Sequence, residues 1–142
     1  MNCFFLIKTG NKKKLLILEE LTGNNKDLYN KSLYITRQYF FNNKQFLRYN
    51  ELYKKIKNEP EYTGLPTNSS QQTIKSVSNS FLSFFKLLEK KKKGKYNKKV
   101  NIPGYLDKNS KYKVIFTKIH FKIISNAIRL TLPKYIRGKI TK

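Results

Sequence analysis

Apolar side chains recur on one face of a predicted helix within the stretch Leu65–Leu88. The steps between them are 3, 4, 3, 1 and 3 residues, which keeps them on one broad helical face. They are Ile74, Val77, Phe81, Phe84, Phe85 and Leu88. Pro66 precedes Thr67 or Asn68 as a cap, and a glutamine follows at the capping-box position. The pattern predicts a helix from about Asn68 to Lys92, with an aromatic core face and a neutral-to-basic outer face.

The preceding sequence predicts three shorter helices. The tetrad Thr22–Asn25 separates the first two, because glycine and asparagine favour turns. Glu59-Pro60 ends the third, because the residue before a proline avoids helical geometry. The predicted helices are Lys12–Leu21, Lys26–Asn42 and Tyr49–Lys57.

The period of the pattern drops to two after Val100. Tyr112, Val114 and Phe116 alternate with lysines and Ile115, which is typical of a half-buried strand. The predicted strands are Met1–Lys8, Tyr112–Phe116, His120–Ile124, Ala127–Leu132 and Tyr135–Ile140, with a hairpin turn at Ser125-Asn126. Helices first and strands last indicate an α+β fold: an N-terminal bundle of about four helices, then a small antiparallel β-sheet or partial barrel.

The net charge of the chain indicates which class of molecule it binds. The chain has 142 residues and a net charge of +23, from 31 Lys and Arg against 8 Asp and Glu. After Glu89 there are 17 basic residues and a single acid, Asp107. Nucleic acid is the expected counter-charge, and an anionic membrane is the competitor. No apolar run reaches the ~18 residues of a membrane span, so we expect a cytoplasmic protein that associates with the nucleoid when bound to DNA.

Few residues suit catalysis. His120 is the only histidine, the acids are scattered, and the glycines form no phosphate-binding loop. The single cysteine, Cys3, excludes a four-cysteine zinc site within this chain and is expected to be a reduced packing residue. We therefore predict no catalytic residue, no metal site and no cofactor.

Residues suited to nucleic-acid binding are more numerous. Lys90–Lys99 holds seven lysines in ten positions and suits phosphate contacts, or else is a disordered basic linker. Arginine forks suit phosphate or guanine. Most of the 20 Phe and Tyr must fill the core, and a few, such as Tyr105 or Tyr112, suit stacking on unpaired bases. The candidates taken from the residues alone are Arg37, Lys90, Lys91, Lys92, Lys93, Lys95, Lys98, Lys99, Lys111, Lys113 and Arg129.

The order of several short segments carries a family resemblance. Residues 65–85 read LP-x4-QQ-x4-V-x3-F-x2-FF, which resembles the N-terminal region of the TnpB (OrfB) proteins of bacterial insertion sequences, relatives of type V CRISPR effector nucleases. The resemblance covers about Asn11 to Lys139. The supporting segments are Asp27–Asn30, Tyr34–Phe41, Tyr49–Tyr53, Ile102–Tyr105, Ile115–Thr117, Ile128–Leu130 and Pro133-Lys134.

This resemblance implies a domain plan and three further contacts. Residues 1–10 would supply a possible first strand of a wedge β-domain, 11–93 a helical recognition-type domain, 94–99 a basic connector, and 100–142 the β-rich wedge-type part, truncated at its C-terminus. In TnpB proteins, polar residues near the long helix and on the wedge strands read a short motif beside the DNA target. By position, Gln72, Lys75 and Thr117 are the candidates for that contact.

The chain departs from the family at its end. Full-length relatives are RNA-guided DNA endonucleases that continue into a RuvC-like nuclease with three metal-binding carboxylates and a four-cysteine zinc ribbon. We therefore expect a truncated fragment that binds transposon-derived guide RNA and/or target DNA without cleaving it. The alternatives are one part of a split nuclease whose RuvC part is a separate polypeptide, a helix-turn-helix transposase accessory protein using Lys12–Asn42, and a ribosomal-type basic protein.

Overall fold

One uninterrupted helix of 32 residues, α1 (Lys12–Asn43), dominates the computed structural model, which describes residues 11–140. The Asn11 side chain caps it by accepting from the N–H groups of Lys13 (3.0 Å) and Lys14 (3.2 Å). Lys44 ends it in the left-handed conformation, φ 55°, and donates its N–H to the Phe40 carbonyl.

The predicted break at Thr22–Asn25 is wrong, because the polar side chains of this tetrad find partners that are compatible with a helix. The Thr22 hydroxyl donates to the Leu18 carbonyl one turn earlier, at 3.0 Å. The Asn25 side chain is fully buried and accepts a hydrogen bond from the Thr73 hydroxyl at 2.6 Å. Tertiary hydrogen bonds thus outweigh the local preference of asparagine for turns.

Three more helices pack on α1. They are α2 (Tyr49–Ile56), α3 (Pro60–Thr63) and α4 (Thr67–Lys92), so the predicted helices at Tyr49–Lys57 and Asn68–Lys92 are confirmed to within a residue. The predicted capping box of α4 is wrong: Pro66 directly precedes the helix without a side-chain cap, and Asn68 instead donates to the Thr117 hydroxyl at 3.0 Å. Ile74, Val77 and Phe81 are fully buried, which confirms the predicted core face.

The core joins all of these helices. Its fully buried apolar members are Leu21, Leu28 and Leu33 of α1, Leu47, Leu52 and Ile56 around α2, Ile74, Val77 and Phe81 of α4, and Ile136. Phe40, Phe46, Phe84 and Phe85 extend it as a cluster of edge-to-face rings, with Phe40 and Phe85 centroids 5.3 Å apart.

An extended segment of residues 102–117, here called the strap, lies across α1 and α4. Tyr112, Val114 and Phe116 are half-buried and their neighbours Lys111, Lys113 and Ile115 are exposed, as the alternation predicts. The predicted strand is nevertheless wrong, since this segment pairs with no other strand in the described part of the chain. Helix side chains take the place of a neighbouring strand by bonding to the strap backbone.

Side chains of α1 and α4 hold the strap at intervals. Asn30 donates to the Leu106 carbonyl and accepts from the Leu106 N–H, both at 2.9 Å. Asn25 donates to the Lys113 carbonyl at 2.6 Å, and Ser69 of α4 to the Ile115 carbonyl at 2.7 Å. Tyr112 packs its ring on Tyr29, with centroids 4.7 Å apart. The strap is therefore a continuation of the helical core rather than part of a separate sheet.

The predicted hairpin is confirmed. β1 (Phe121–Ile124) and β2 (Ala127–Leu130) pair antiparallel, with Phe121 opposite Leu130, and the turn is at Ser125-Asn126. β2 ends two residues before the predicted end at Leu132. Within residues 11–140 the sheet has these two strands, so the observed fold is α+β with a helical bundle followed by a small antiparallel sheet.

The predicted strand Tyr135–Ile140 is wrong, because the segment forms a short helix, α5 (Lys134–Ile140). Ile136 is fully buried, and the Tyr135 hydroxyl donates to the Gly64 carbonyl at 3.0 Å. Lys139 bonds to Glu20 at 2.7 Å, which ties α5 to α1. The predicted strand Met1–Lys8 lies outside the described residues. No helix within residues 11–140 is long and apolar enough to cross a membrane.

Candidate nucleic-acid interface

Most acidic side chains of the described region form ion pairs or hydrogen bonds with other residues of the same chain. Ion pairs join Glu19 to Lys111, Glu20 to Lys139, Asp27 to Lys26, Glu59 to Lys31 and Glu89 to Lys93. Glu51 accepts from the N–H of Arg48 at the start of α2, at 3.0 Å. With 31 basic residues in the chain, these contacts leave a large cationic excess at the surface.

Three of the eight acids share one concave surface. Glu20, Asp27 and Glu61 line one cleft of about 470 Å³ beside Tyr135. Among the described residues, no group of three or more His, Cys, Asp and Glu is arranged to hold a metal ion. Because Glu20 and Asp27 are paired with Lys139 and Lys26, the acids of this cleft are largely neutralised by their neighbours.

A second cleft, of about 640 Å³, lies between the start of α2 and the outer face of α4. None of its described lining residues is acidic, and they combine cations, amides and aromatic rings: Phe46, Arg48, Tyr49, Gln71, Gln72, Lys75, Ser78, Asn79 and Leu82. We call it the α2–α4 cleft. Its volume falls in the range of small-ligand sites, and amides beside cations suit a base edge next to a phosphate.

Two of the three residues taken from the TnpB resemblance line this cleft. Gln72 is half-buried and Lys75 is exposed, and both belong to a helical stripe of spacing 4, 3 and 4: Asn68, Gln72, Lys75 and Asn79. Thr117 is not part of the cleft. Its hydroxyl is bonded to Asn68, so it adjoins the first member of the α4 stripe from the strap.

Arg48, Tyr49 and Asn79 were missed by the sequence analysis. Arg48 and Tyr49 stand at the start of a predicted helix, and nothing in their spacing relates them to α4. Burial, and then the neighbouring Tyr53, raise the pKa of the Tyr49 phenol above its usual value, so it stays neutral to a higher pH than a free tyrosine. A neutral phenol serves as a stacking surface and hydrogen-bond donor without repelling phosphate.

The predicted basic run forms the end of α4 and the turn after it. Lys90, Lys91 and Lys92 occupy the last helical turn, where cations complement the helix dipole. Gly94 has a φ of 69°, which glycine adopts without strain. The lysines from Lys90 to Lys99 are all exposed. Lys93 also bonds to Glu89, and this hydrogen bond and its charge lower the pKa of that carboxyl.

Arg37 and Tyr105, far apart in sequence, meet at the surface. The Arg37 guanidinium carbon lies 4.9 Å from the centroid of the Tyr105 ring and 5.8 Å from that of Phe41. Its Nη1 donates to the Pro103 carbonyl at 3.4 Å. Tyr112, the other tyrosine considered for stacking, packs internally on Tyr29 instead.

The remaining predicted contacts are dispersed. Lys111 and Lys113 are exposed on the strap, and Lys111 is paired with Glu19 at 2.9 Å. Arg129 is exposed on β2 directly opposite Lys122 of β1. Like charges that face each other across a strand pair repel, and an anion between them relieves the repulsion.

No protein-family model, curated protein or solved structure matches this chain. The kinship with TnpB proteins therefore remains a prediction that depends on the sequence segments quoted above. The arrangement of cations, amides and rings provides an argument for function that does not need the family.

Proposed function

We propose that this chain binds nucleic acid without cleaving it, as the recognition and wedge portion of a TnpB-like transposon protein. The observation that carries the proposal is the α2–α4 cleft, where Gln72 and Lys75 lie beside Arg48 and Tyr49 with no acid in the lining. Its ligand in this proposal is transposon-derived guide RNA and/or target DNA, in the cytoplasm and at the nucleoid.

Two different kinds of contact support this function. Exposed lysines from Lys90 to Lys99 supply affinity for phosphate that is independent of sequence. The amides of Gln72 and Asn79 line a concave site where a base edge fits, which is how glutamine and asparagine read adenine.

The helix-turn-helix alternative loses its structural premise. That interpretation placed a turn at Thr22–Asn25, and α1 continues through the tetrad as a helix.

Binding is tested by fluorescence anisotropy with labelled RNA and DNA over a range of salt. Neutralising about 6 phosphates should cost roughly three decades of affinity between about 50 and 200 mM salt. Lys75→Ala should reduce the salt slope by about 1, and Gln72→Ala should change sequence preference with the slope unchanged. Lys55→Ala, an exposed lysine of α2 outside the cleft lining, is the charge-matched control.

Affinity independent of salt, or no binding in dilute buffer, would contradict the proposal. DNA hydrolysis by the pure chain with magnesium would contradict the statement that it does not cleave. Cleavage that appears only after a RuvC-like polypeptide is added would favour the split-nuclease alternative. Sequencing the nucleic acid that co-purifies with the chain from cells distinguishes guide RNA from other ligands.

A further inference from the structure

The contact of Arg37 with Tyr105 lies on a partly exposed aromatic surface. Phe41, one turn after Arg37 on α1, is 45% exposed, and Tyr105 on the strap is 48% exposed. The Arg37 guanidinium lies 4.9 Å from the Tyr105 centroid and 5.8 Å from the Phe41 centroid, and so bridges the two rings. We call Arg37, Phe41 and Tyr105 the aromatic platform. Tyr34, 53% exposed, precedes Arg37 by one turn on the same helix face.

The platform is held in place without a ligand. Asn30 of α1 makes two hydrogen bonds of 2.9 Å to the backbone of Leu106, the residue next to Tyr105. Arg37 Nη1 bonds to the carbonyl of Pro103, on the other side of Tyr105. The strap backbone is therefore pinned to α1 on both sides of the tyrosine, and little ordering entropy is left to lose on binding.

Exposure of these rings needs an explanation, because other aromatic side chains of the chain pack into the core. Phe81, Tyr29 and Tyr62 are buried. Rings that stay half exposed beside a fixed guanidinium offer flat π surfaces and a positive charge together. Unpaired nucleobases stack on such surfaces, and their phosphates are attracted by the cation.

We propose that the aromatic platform stacks unpaired bases, so that the chain prefers single-stranded nucleic acid over duplex. This inference rests on the proposed nucleic-acid function and adds the class of ligand. The chain's charge of +23 favours a polyanion over a protein partner as the occupant. Paired bases inside a duplex hide their faces from the platform, so a duplex gains nothing from stacking there.

The test compares two single strands of about 12 nucleotides with equal charge, a length within the site sizes of single-strand binders. One carries bases and the other carries abasic sites. Wild-type protein should bind the base-containing strand roughly 5- to 150-fold more tightly, as expected for one stacked base. Tyr105→Ala should reduce the ratio of the two affinities, and Tyr105→Phe, which keeps the ring, should restore it. RNA and DNA versions show whether the sugar matters.

Two variants separate stacking from other effects. Asp107→Asn removes an exposed acid near Tyr105 and should strengthen binding of both strands equally, because it acts on phosphate. Ile119→Ala removes a side chain that is 76% exposed outside the platform, and it should leave the ratio of affinities unchanged. If Tyr105→Ala lowers the melting temperature, Phe41→Ala takes its place, and the ratio of its affinities for the base-containing and abasic strands tests stacking.

The outcomes separate the two proposals. Equal wild-type affinity for both strands, or a ratio unchanged in both Tyr105→Ala and Phe41→Ala, would overturn the stacking inference and leave nucleic-acid binding standing. Failure of the wild type to bind either strand or a duplex of the same length in dilute buffer would overturn the proposed function itself.

Discussion

The strap and the hairpin are both extended segments of the C-terminal part, and they relate to the helices in different ways. The strap is bonded to α1 and α4 by Asn25, Asn30 and Ser69, and its alternate side chains pack against the core. The hairpin is bonded to itself, and Ile123 and Ile124 are 63% and 48% exposed. Extended structure is thus stabilised by helix side chains in one segment and by a partner strand in the other.

This difference predicts where stability resides. Changes in the helical core or in the residues that hold the strap should lower the free energy of unfolding of the molecule. Equivalent changes in the hairpin should have little effect, because few buried groups depend on it. Pairs of matched substitutions test this contrast.

The largest effect is expected from Phe81→Ala. Phe81 of α4 is fully buried and packs its ring against Phe84 and Phe85, and removing a buried phenylalanine side chain typically costs about 3–5 kcal/mol. Urea denaturation followed by circular dichroism measures the loss. A loss below about 1 kcal/mol would contradict the assigned core.

Asn25→Ala should have the next largest effect. The variant leaves the Lys113 carbonyl without its partner, although the Thr73 hydroxyl keeps its 3.2 Å bond to the Ser69 carbonyl, and an unsatisfied buried polar group costs about 1–3 kcal/mol. Protection of the strap amides from hydrogen exchange should fall as well. Asn126→Ala, in the exposed hairpin turn, is the matched control, and an equal loss in both variants would mean that the strap contacts contribute nothing special.

Raising the pH above 10 should lower the free energy of unfolding of the helical part. Burial, and then the neighbouring Tyr53, raise the pKa of Tyr62 to about 12 from the usual 10.0. The unfolded chain therefore loses this proton first, so the stabilising contribution is complete below pH 10 and is lost as pH rises towards 12, a change of roughly 2 kcal/mol.

Tyr62→Phe isolates this titration, since the remaining tyrosines still ionise in the variant. The difference in free energy of unfolding between wild type and variant should change between pH 10 and 12, the interval between the usual and the raised pKa. A difference independent of pH across that interval would show that Tyr62 titrates normally. The hairpin contains no tyrosine, so its own pairing should not respond.

The smallest effect is expected from Ile123→Ala in β1. The side chain is 63% exposed, and substitutions at exposed positions usually change stability by less than about 0.5 kcal/mol. Denaturation under the conditions used for Phe81→Ala gives the comparison. A loss of the size expected for a core residue would place the hairpin within the cooperative unit.

The amino-acid sequence by itself determined the helical core and the hairpin. The spacing of Ile74, Val77 and Phe81 defined the buried face of α4, because a helix that must bury an apolar stripe leaves a period of 3.6 in its sequence. Ser125-Asn126 between two apolar stretches defined the hairpin turn. Charge and composition indicated a polyanionic partner. Periodicity and turn residues are local, and charge and composition are sums over the chain. All of them can be predicted without knowing which segments contact each other in the fold.

The tertiary structure alone decided the features that depend on distant partners. Asn25 stays inside a continuous helix because it meets Thr73 and the Lys113 carbonyl, 48 and 88 residues away. Residues 112–116 alternate like a strand, but the groove of α1 and α4 satisfies their backbone. Gln72 gains Arg48 and Tyr49 as neighbours, and Arg37 gains Tyr105, through packing of separate elements. The physical reason is that a buried hydrogen bond or ring contact overrides a local preference of a few tenths of a kcal/mol to about 1 kcal/mol.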